Sequence, residues 1–374
     1  MLHPLDDLPI HQTPEPLAHV ASGDRNAYDR YFFNGYTADG STFFAAALGV
    51  YPNRHVIDAS FSVVRDGVQT SVHASGRLDP GRLRTTVGPI EVQVLEPMRR
   101  LRVLVGPSEA GVVADVTFAA RTEAVEEPRF TVRRGTRVVM DYTRLTQFGT
   151  WTGRLTVGDD VIELDRLDVL GTRDRSWGIR SVGEREGGAP GPAPQFFWLW
   201  APLNLGARCL HVDFQEDATG RRAHANGEVV PLLDGPDAPV DLAAPAGERA
   251  ADVAHDIAWR PGTRRSDGAA LTLWPHGGEP IVAELEPILD FQMLGLGYLH
   301  PEWNHGSWKG EEAVGVESWR LDELDPLALQ HLHVQQLCRV RVGDEVGTGV
   351  LEQLVIGPHE PSGFTGLADG AAAD

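Results

Sequence analysis

Apolar and polar residues alternate along this chain at the two-residue period of extended backbone, in short runs punctuated by turn residues, and almost nowhere at a helical period. Tyr31-Phe32-Phe33-Asn34-Gly35-Tyr36 is broken by Asp39-Gly40 and residues 41–48 turn apolar again, which predicts strand, turn, strand. Phe61-Ser62-Val63-Val64-Arg65 is joined to residues 68–72 by Asp66-Gly67, a pair that supplies the positive backbone angles of a tight hairpin. Further runs occupy 90–94, 100–105, 111–118, 154–157 and 161–164, the last two closed by Gly158-Asp159. Residues 137–147 read as one helical turn.

In the second half, residues 195–202 set Phe197 and Leu199 against Phe196, Trp198 and Trp200, as a strand buried on both faces would. Residues 210–215 alternate strictly and place His211, Asp213 and Gln215 on one face. Strands follow at 269–274, 281–286, 288–294 and 314–320, and a hairpin pairs 334–342 with 350–356 about Gly343-Asp344. Short strands punctuated every 8 to 12 residues or so predict an all-β fold, an antiparallel sandwich or barrel.

The Gly/Pro-rich stretch 183–194 reads as an inter-domain crossover, and 374 residues exceed what one core usually holds. The expected division is a domain of residues 1–185 and one of 186–374. Residues 234–247 read as a long surface loop, residues 1–28 as an arm over the body, and the small, polar tail from Gly366 as disordered.

Composition is that of a globular protein, 42% hydrophobic and 23% charged. The net charge of −20 would repel nucleic-acid phosphates and anionic lipid, so neither nucleic acid nor membrane is expected as a partner. The N-terminus lacks the basic-then-apolar layout of a signal peptide, which makes the cytoplasm the expected location. Cys209 and Cys338 have no metal-ligand spacing and read as free buried thiols. A homodimer is compatible with the sequence.

Nucleophile-elbow, Walker and His-Glu-x-x-His patterns are all missing, and Gly295-Leu296-Gly297 reads as a bend beside Tyr298, so no cofactor is expected. His331-Leu332-His333 and His211-Val212-Asp213 have strand-face spacing, but neither is specific enough to assign a metal. Two clusters carry more chemistry. Gly171-Thr172-Arg173-Asp174-Arg175-Ser176-Trp177-Gly178-Ile179-Arg180 packs three arginines, a carboxylate and an indole into ten positions, and reads either as a structural ion-pair knot of Arg173, Arg175 and Arg180 or as a functional wall. Residues 300–311 gather His300, Glu302, Trp303, His305, Trp308 and Glu311, readable as a barrel-mouth loop whose aromatic setting moves an acid toward neutrality, or as a structured turn.

Tyr51-Pro52-Asn53-Arg54, the 171–178 segment, Phe196-Phe197-Trp198-Leu199-Trp200 and Pro301-Glu302-Trp303-Asn304-His305-Gly306 resemble tandem bacterial domains of unknown function related to the hydroxyneurosporene synthase (carotenoid 1,2-hydratase) superfamily. The resemblance runs from about Tyr31 to Phe364 and implies two lipocalin-like β-barrel domains side by side, handling hydrophobic substrates. Its Asp-x-Ser-Trp-Gly core maps to Asp174 and Trp177; the histidine of the hydratase motif is replaced by Arg175, and the downstream acid position by Asn204.

The expected function is a cofactor-independent hydratase or dehydratase, isomerase or cyclase acting by acid catalysis on a small terpenoid, steroid or phenolic. Asp174, Glu302 and Asp213 are the candidate acids, and His305 and His211 the relays. Trp177, Trp198 and Trp303 would shelter positive charge, and Trp200, Asn204, Trp308 and Tyr298 would complete the substrate site. The alternative is a non-catalytic carrier or sensor of apolar ligands.

Overall fold

A computed structural model describes every residue except 185, 186, 190, 192, 236, 237, 242–244 and 374. Two antiparallel sheets build the body, and among the described residues there is no α-helix. The first sheet, of 14 strands, takes its strands from between Ala27 and Arg180, plus Glu312–Arg320, which pairs with Val68–Arg77. Its far strand, Thr86–Val87, returns against Val56–Arg65 and Val68–Arg77, so the sheet nearly closes. The second sheet, of nine strands between Phe196 and Ile356, curves as a half-barrel beside it.

Alternation decides what each face meets. On Ala27–Thr37, Phe33 points into the first barrel while Phe32 and Tyr36 point out toward the second sheet. The barrel interior is filled: Trp151 stands edge-on to Phe33, Phe44 and Phe118 with centroids 5.8, 5.2 and 5.4 Å away, and its Nε1 donates to the Asn34 carbonyl oxygen at 2.8 Å. Gly171 permits that approach, since a Cβ there would lie 2.1 Å from the same oxygen. A third apolar layer, including Phe32, Phe43, Trp200, Phe291 and Leu337, joins the sheets; each such buried aromatic contributes about 2–3 kcal/mol of transfer free energy.

Several expectations change. Residues 137–147 are not a helical turn but part of Arg137–Val157, a 21-residue strand whose backbone is paired on both sides. Residues 281–294 form one strand, Ile281–Gln292, irregular between Pro287 and Leu289 because proline has no N–H to donate, followed by the turn Met293–Leu296. The Arg/Asp/Trp stretch is not an ion-pair knot of Arg173, Arg175 and Arg180; it is the strand Val169–Arg180, in the middle of the first sheet. The tail expected to be disordered packs on the body, buried Arg264 bonding the carbonyl oxygens of Gly366 and Asp369 at 3.0 and 2.7 Å. The loop expectations at 183–194 and 234–247 fall partly on residues outside those described. Among the described residues no helix is long and apolar enough to cross a membrane.

Candidate functional site

A cavity of about 550 Å³ lies between the two sheets, outside the filled interior of the first barrel. The first sheet contributes Arg30 and Phe32 from Ala27–Thr37, Tyr142 and Arg144 from Arg137–Val157, and Asp174, Ser176 and Arg180 from Val169–Arg180. The second contributes Phe196, Trp198 and Trp200 from Phe196–Asn204, His333 from His333–Val342, and Glu352 and Leu354 from Glu345–Ile356. In each strand the residues share parity, so the wall is a consequence of the pleat.

Asp174 is flanked across the sheet by Phe32 and Thr146, and no hydrogen bond reaches its carboxyl among the described residues. Burial pushes it up, the Arg144 guanidinium pulls it back, and the carboxylates of Glu127 and Glu352 push it up again; the balance raises it to about 6. Arg144 does not hold Asp174 because it is committed to Glu127, its Nε donating to Glu127 Oε2 at 2.7 Å and its Nη2 to the same oxygen. Glu127 Oε1 accepts from Thr146 Oγ1 at 2.6 Å and Trp200 Nε1 at 3.4 Å. Burial alone would raise Glu127; Arg144 and His211 outweigh it and hold it far below the carboxylate range. The same guanidinium lies 5.0 Å from the Trp198 ring centroid and 5.7 Å from that of Trp200.

On the opposite wall Glu352 accepts from Gln335 Nε2 at 2.6 Å and pairs with His333 Nε2 at 2.9 Å. Burial raises it, but His333, Gln335 and Arg144 outweigh burial and leave it ionised, below its usual value. His305 enters from the 300–306 loop, which Gly297 makes room for: its φ of 89° suits glycine, and a Cβ would stand 2.6 Å from the Trp303 carbonyl oxygen. His305 Nε2 is 2.8 Å from the Leu296 carbonyl oxygen and so carries the proton, while Nδ1 accepts from Arg180 Nη2 at 3.0 Å. Burial, with Arg30 and Arg180 beside it, pushes His305 well below the ordinary imidazole value and keeps it neutral.

Asp174, His305, Trp198, Trp200 and Tyr298 therefore meet at one cavity. The other candidates stand elsewhere. Trp177 is three positions from Asp174 on a strand, hence on the opposite face, and is 43% exposed. Arg173 and Arg175 share its face: Arg173 Nε donates to Gln147 Oε1 at 2.8 Å and Arg175 pairs with Asp29, so neither grips Asp174, while Arg180 faces the cavity. Glu302 is exposed, and Trp308 is 43% exposed under Arg77. Trp303 stacks on His73, 5.5 Å between centroids. Asn204 is locked between the sheets, donating to Tyr36 Oη at 3.0 Å and accepting from Arg121 Nη1 at 2.8 Å. His211 and Asp213 are fully buried beneath Trp200, His211 lying 3.3 Å from Glu127 and 3.6 Å from Asp213.

Sequence reasoning passed over Arg30, Glu127, Arg144 and Glu352. Arg30 and Glu352 carried a usable signal, each a lone charge among the apolar residues of its strand face: Phe32 and Tyr36 beside Arg30, Val350 and Leu354 beside Glu352. Among the described residues, two side-chain groups bring three ligand atoms within 4.8 Å, His73, His300 and Glu317, and Glu127, His211 and Asp213. In both the glutamate has protein partners, Glu317 with His300 Nε2 at 2.7 Å and Glu127 as described, while in the second group the two ring nitrogens of His211 and Asp213 Oδ2 are buried with no hydrogen-bond partner among the described residues.

A family model described as a family of unknown function, DUF8625, matches residues 2–365. The chain belongs to that family. No curated protein matches the sequence. Among solved structures, kievitone hydratase from Nectria haematococca is similar at a TM-score of 0.52 and 13% identity, over 87% of this chain and 88% of that one. CghA with Sch210972 is similar at 0.50 and 12% identity, over 88% and 89%. At such identities the likeness speaks for fold, and it matches the nearly closed barrel and half-barrel of this DUF8625 chain to lipocalin-like barrels.

Proposed function

We propose that this chain is a cofactor-independent acid catalyst, a hydratase or dehydratase, isomerase or cyclase of small hydrophobic substrates, with Asp174 as proton donor. The carrying observation is a carboxylic acid raised to about 6, without a hydrogen-bond partner among the described residues, facing a cavity walled by Trp198 and Trp200. The protonated acid adds its proton to an alkene carbon or to a leaving hydroxyl; the positive charge that develops lies against the indole faces; water then adds, a neighbouring proton leaves, or a second alkene closes on it. At pH 7 about one Asp174 in ten is protonated, and the fraction falls about tenfold for each further pH unit. One of the similar structures is named as a hydratase, which supports the reading, as does the resemblance to the hydroxyneurosporene synthase superfamily, to which we assign the chain as part of this proposal.

The test is to incubate the protein with panels of terpenols, sterols and phenolics in heavy water and search for products by mass spectrometry. Deuterium at a new C–H bond, lost in Asp174→Asn, supports the assignment. Ligands retained intact with no turnover across the panels refute it and favour a carrier.

A further inference from the structure

Arg30 lines the cavity and is 2% exposed, yet among the described residues its guanidinium makes a single hydrogen bond, from Nη2 to the Leu296 carbonyl oxygen at 3.2 Å. Its Nε and Nη1 have no partner among those residues. Arg180 stands beside it, the two guanidiniums 5.0 and 5.5 Å from the one Tyr298 ring. Among the described residues neither arginine has an ion pair, although the chain carries 53 acidic residues against 33 basic ones. The nearby carboxyl of Asp58 is used elsewhere, accepting from Tyr51 Oη at 3.1 Å and from the Gly306 N–H at 2.6 Å. A guanidinium taken out of water without a hydrogen-bonded counter-charge is costly, and a cavity-lining guanidinium with N–H groups left unpaired suits a planar oxyanion.

We propose that Arg30, with Arg180 beside it, binds a carboxylate carried by the otherwise apolar substrate. This rests on the reading of the cavity as a substrate site and narrows the substrate class to hydrophobic acids. Held there, the acid has its apolar body along Trp198 and Trp200. Arg30 pairs across the sheet with Ser176, and Asp174 with Phe32, so the proton donor is one same-face step away. That step is roughly 7 Å, which sets the reacting carbon a few bonds from the carboxylate. The anion also cancels part of the positive potential that favours ionised Asp174, so seating the substrate favours the protonated donor.

Isothermal titration calorimetry with 1-naphthaleneacetate, cinnamate and decanoate, each against its methyl ester, tests this. At least one acid is expected to bind ten or more times tighter than its ester. Arg30→Met is expected to bring acid and ester within twofold, with circular dichroism checking that the variant is folded; Arg30→Lys should keep part of the preference. Esters binding the wild type as tightly as the acids, or an acid preference that survives Arg30→Met, overturns the anion site and leaves the cavity reading standing. Binding of neither acids nor esters overturns both. Should Arg30→Met not fold, the wild-type comparison of acid with ester decides alone.

Discussion

Replacing Asp174 by Asn is expected to stabilise this protein as it abolishes turnover, and to do so in a pH-dependent way. The folded chain holds the Asp174 proton up to about pH 6, whereas the unfolded chain releases it near 3.8. Between those values the folded state binds more protons than the unfolded state, so this carboxyl lowers stability progressively as pH rises through that window, and the full penalty persists above it. Two pKa units and a fraction amount to about 3 kcal/mol, a ceiling because the carboxyl opens on the cavity. Asn carries no such penalty, so its advantage is about 0.5 kcal/mol at pH 4 and approaches 3 at pH 8. Unfolding entropy near 2.1 cal/mol/K per residue gives about 0.8 kcal/mol/K for 374 residues, hence a gain in Tm of about 3–4 °C at pH 8 and under about 1 °C at pH 4. Scanning calorimetry of both proteins from pH 4 to 8 measures it. Coincident melting at pH 8, or a gap that narrows as pH rises, would show that Asp174 is held ionised and would remove it as the acid.

Three further outcomes follow from the same geometry. His305 should remain the neutral Nε2–H tautomer from pH 8 to 5 in ring nitrogen NMR spectra, because burial and the arginines beside it disfavour its charge; a midpoint near the ordinary 6.5 would contradict this. Trp177→Ala, on the exposed face, should change stability by no more than about 0.5 kcal/mol and leave ligand titrations unchanged, whereas Trp198→Ala should weaken binding of the methyl esters at least tenfold. Glu127→Gln should cost about 3–5 kcal/mol in urea unfolding by stranding buried Arg144, and should move the midpoint of any pH–rate profile to lower pH.

The architecture was legible because a period of two survives in single strands: the Asp66-Gly67 hairpin, the residues 334–356 hairpin and the two-faced Phe196–Asn204 strand stand where the alternation puts them. Fragments of the site were legible too, since Trp198, Trp200 and Asp174 were recognisable as unusual residues. What failed was the grouping. Neighbours in sequence were read as neighbours in space, and on a strand Asp174 and Trp177 face opposite ways, as do Arg173 and Arg180. The partners that tune Asp174 come from other strands. Arg144 lay in a stretch read as helical, and Glu127 gains meaning only when its N–H bonds the Arg144 carbonyl oxygen at 2.9 Å and sets the two side chains together.

That cross-strand pair explains how an acid survives in a cavity rich in guanidinium groups. The Arg144 charge acts on both Glu127 and Asp174, and a carboxylate paired with it would titrate far too low to donate a proton near neutrality. Glu127 wins because four partners converge on it from both sheets: Arg144 and Thr146 from the first, Trp200 and His211 from the second. Its charge is thereby fixed, and the fixed charge acts on Asp174 twice, by occupying the cation that would ionise it and by repelling its conjugate base. Two carboxyls a strand apart are thus driven in opposite directions, one to permanent anion and one to an acid near 6. Among the described residues Arg30 has no ion pair, and a substrate anion that occupies it would do for that side of the cavity what Glu127 does for the other.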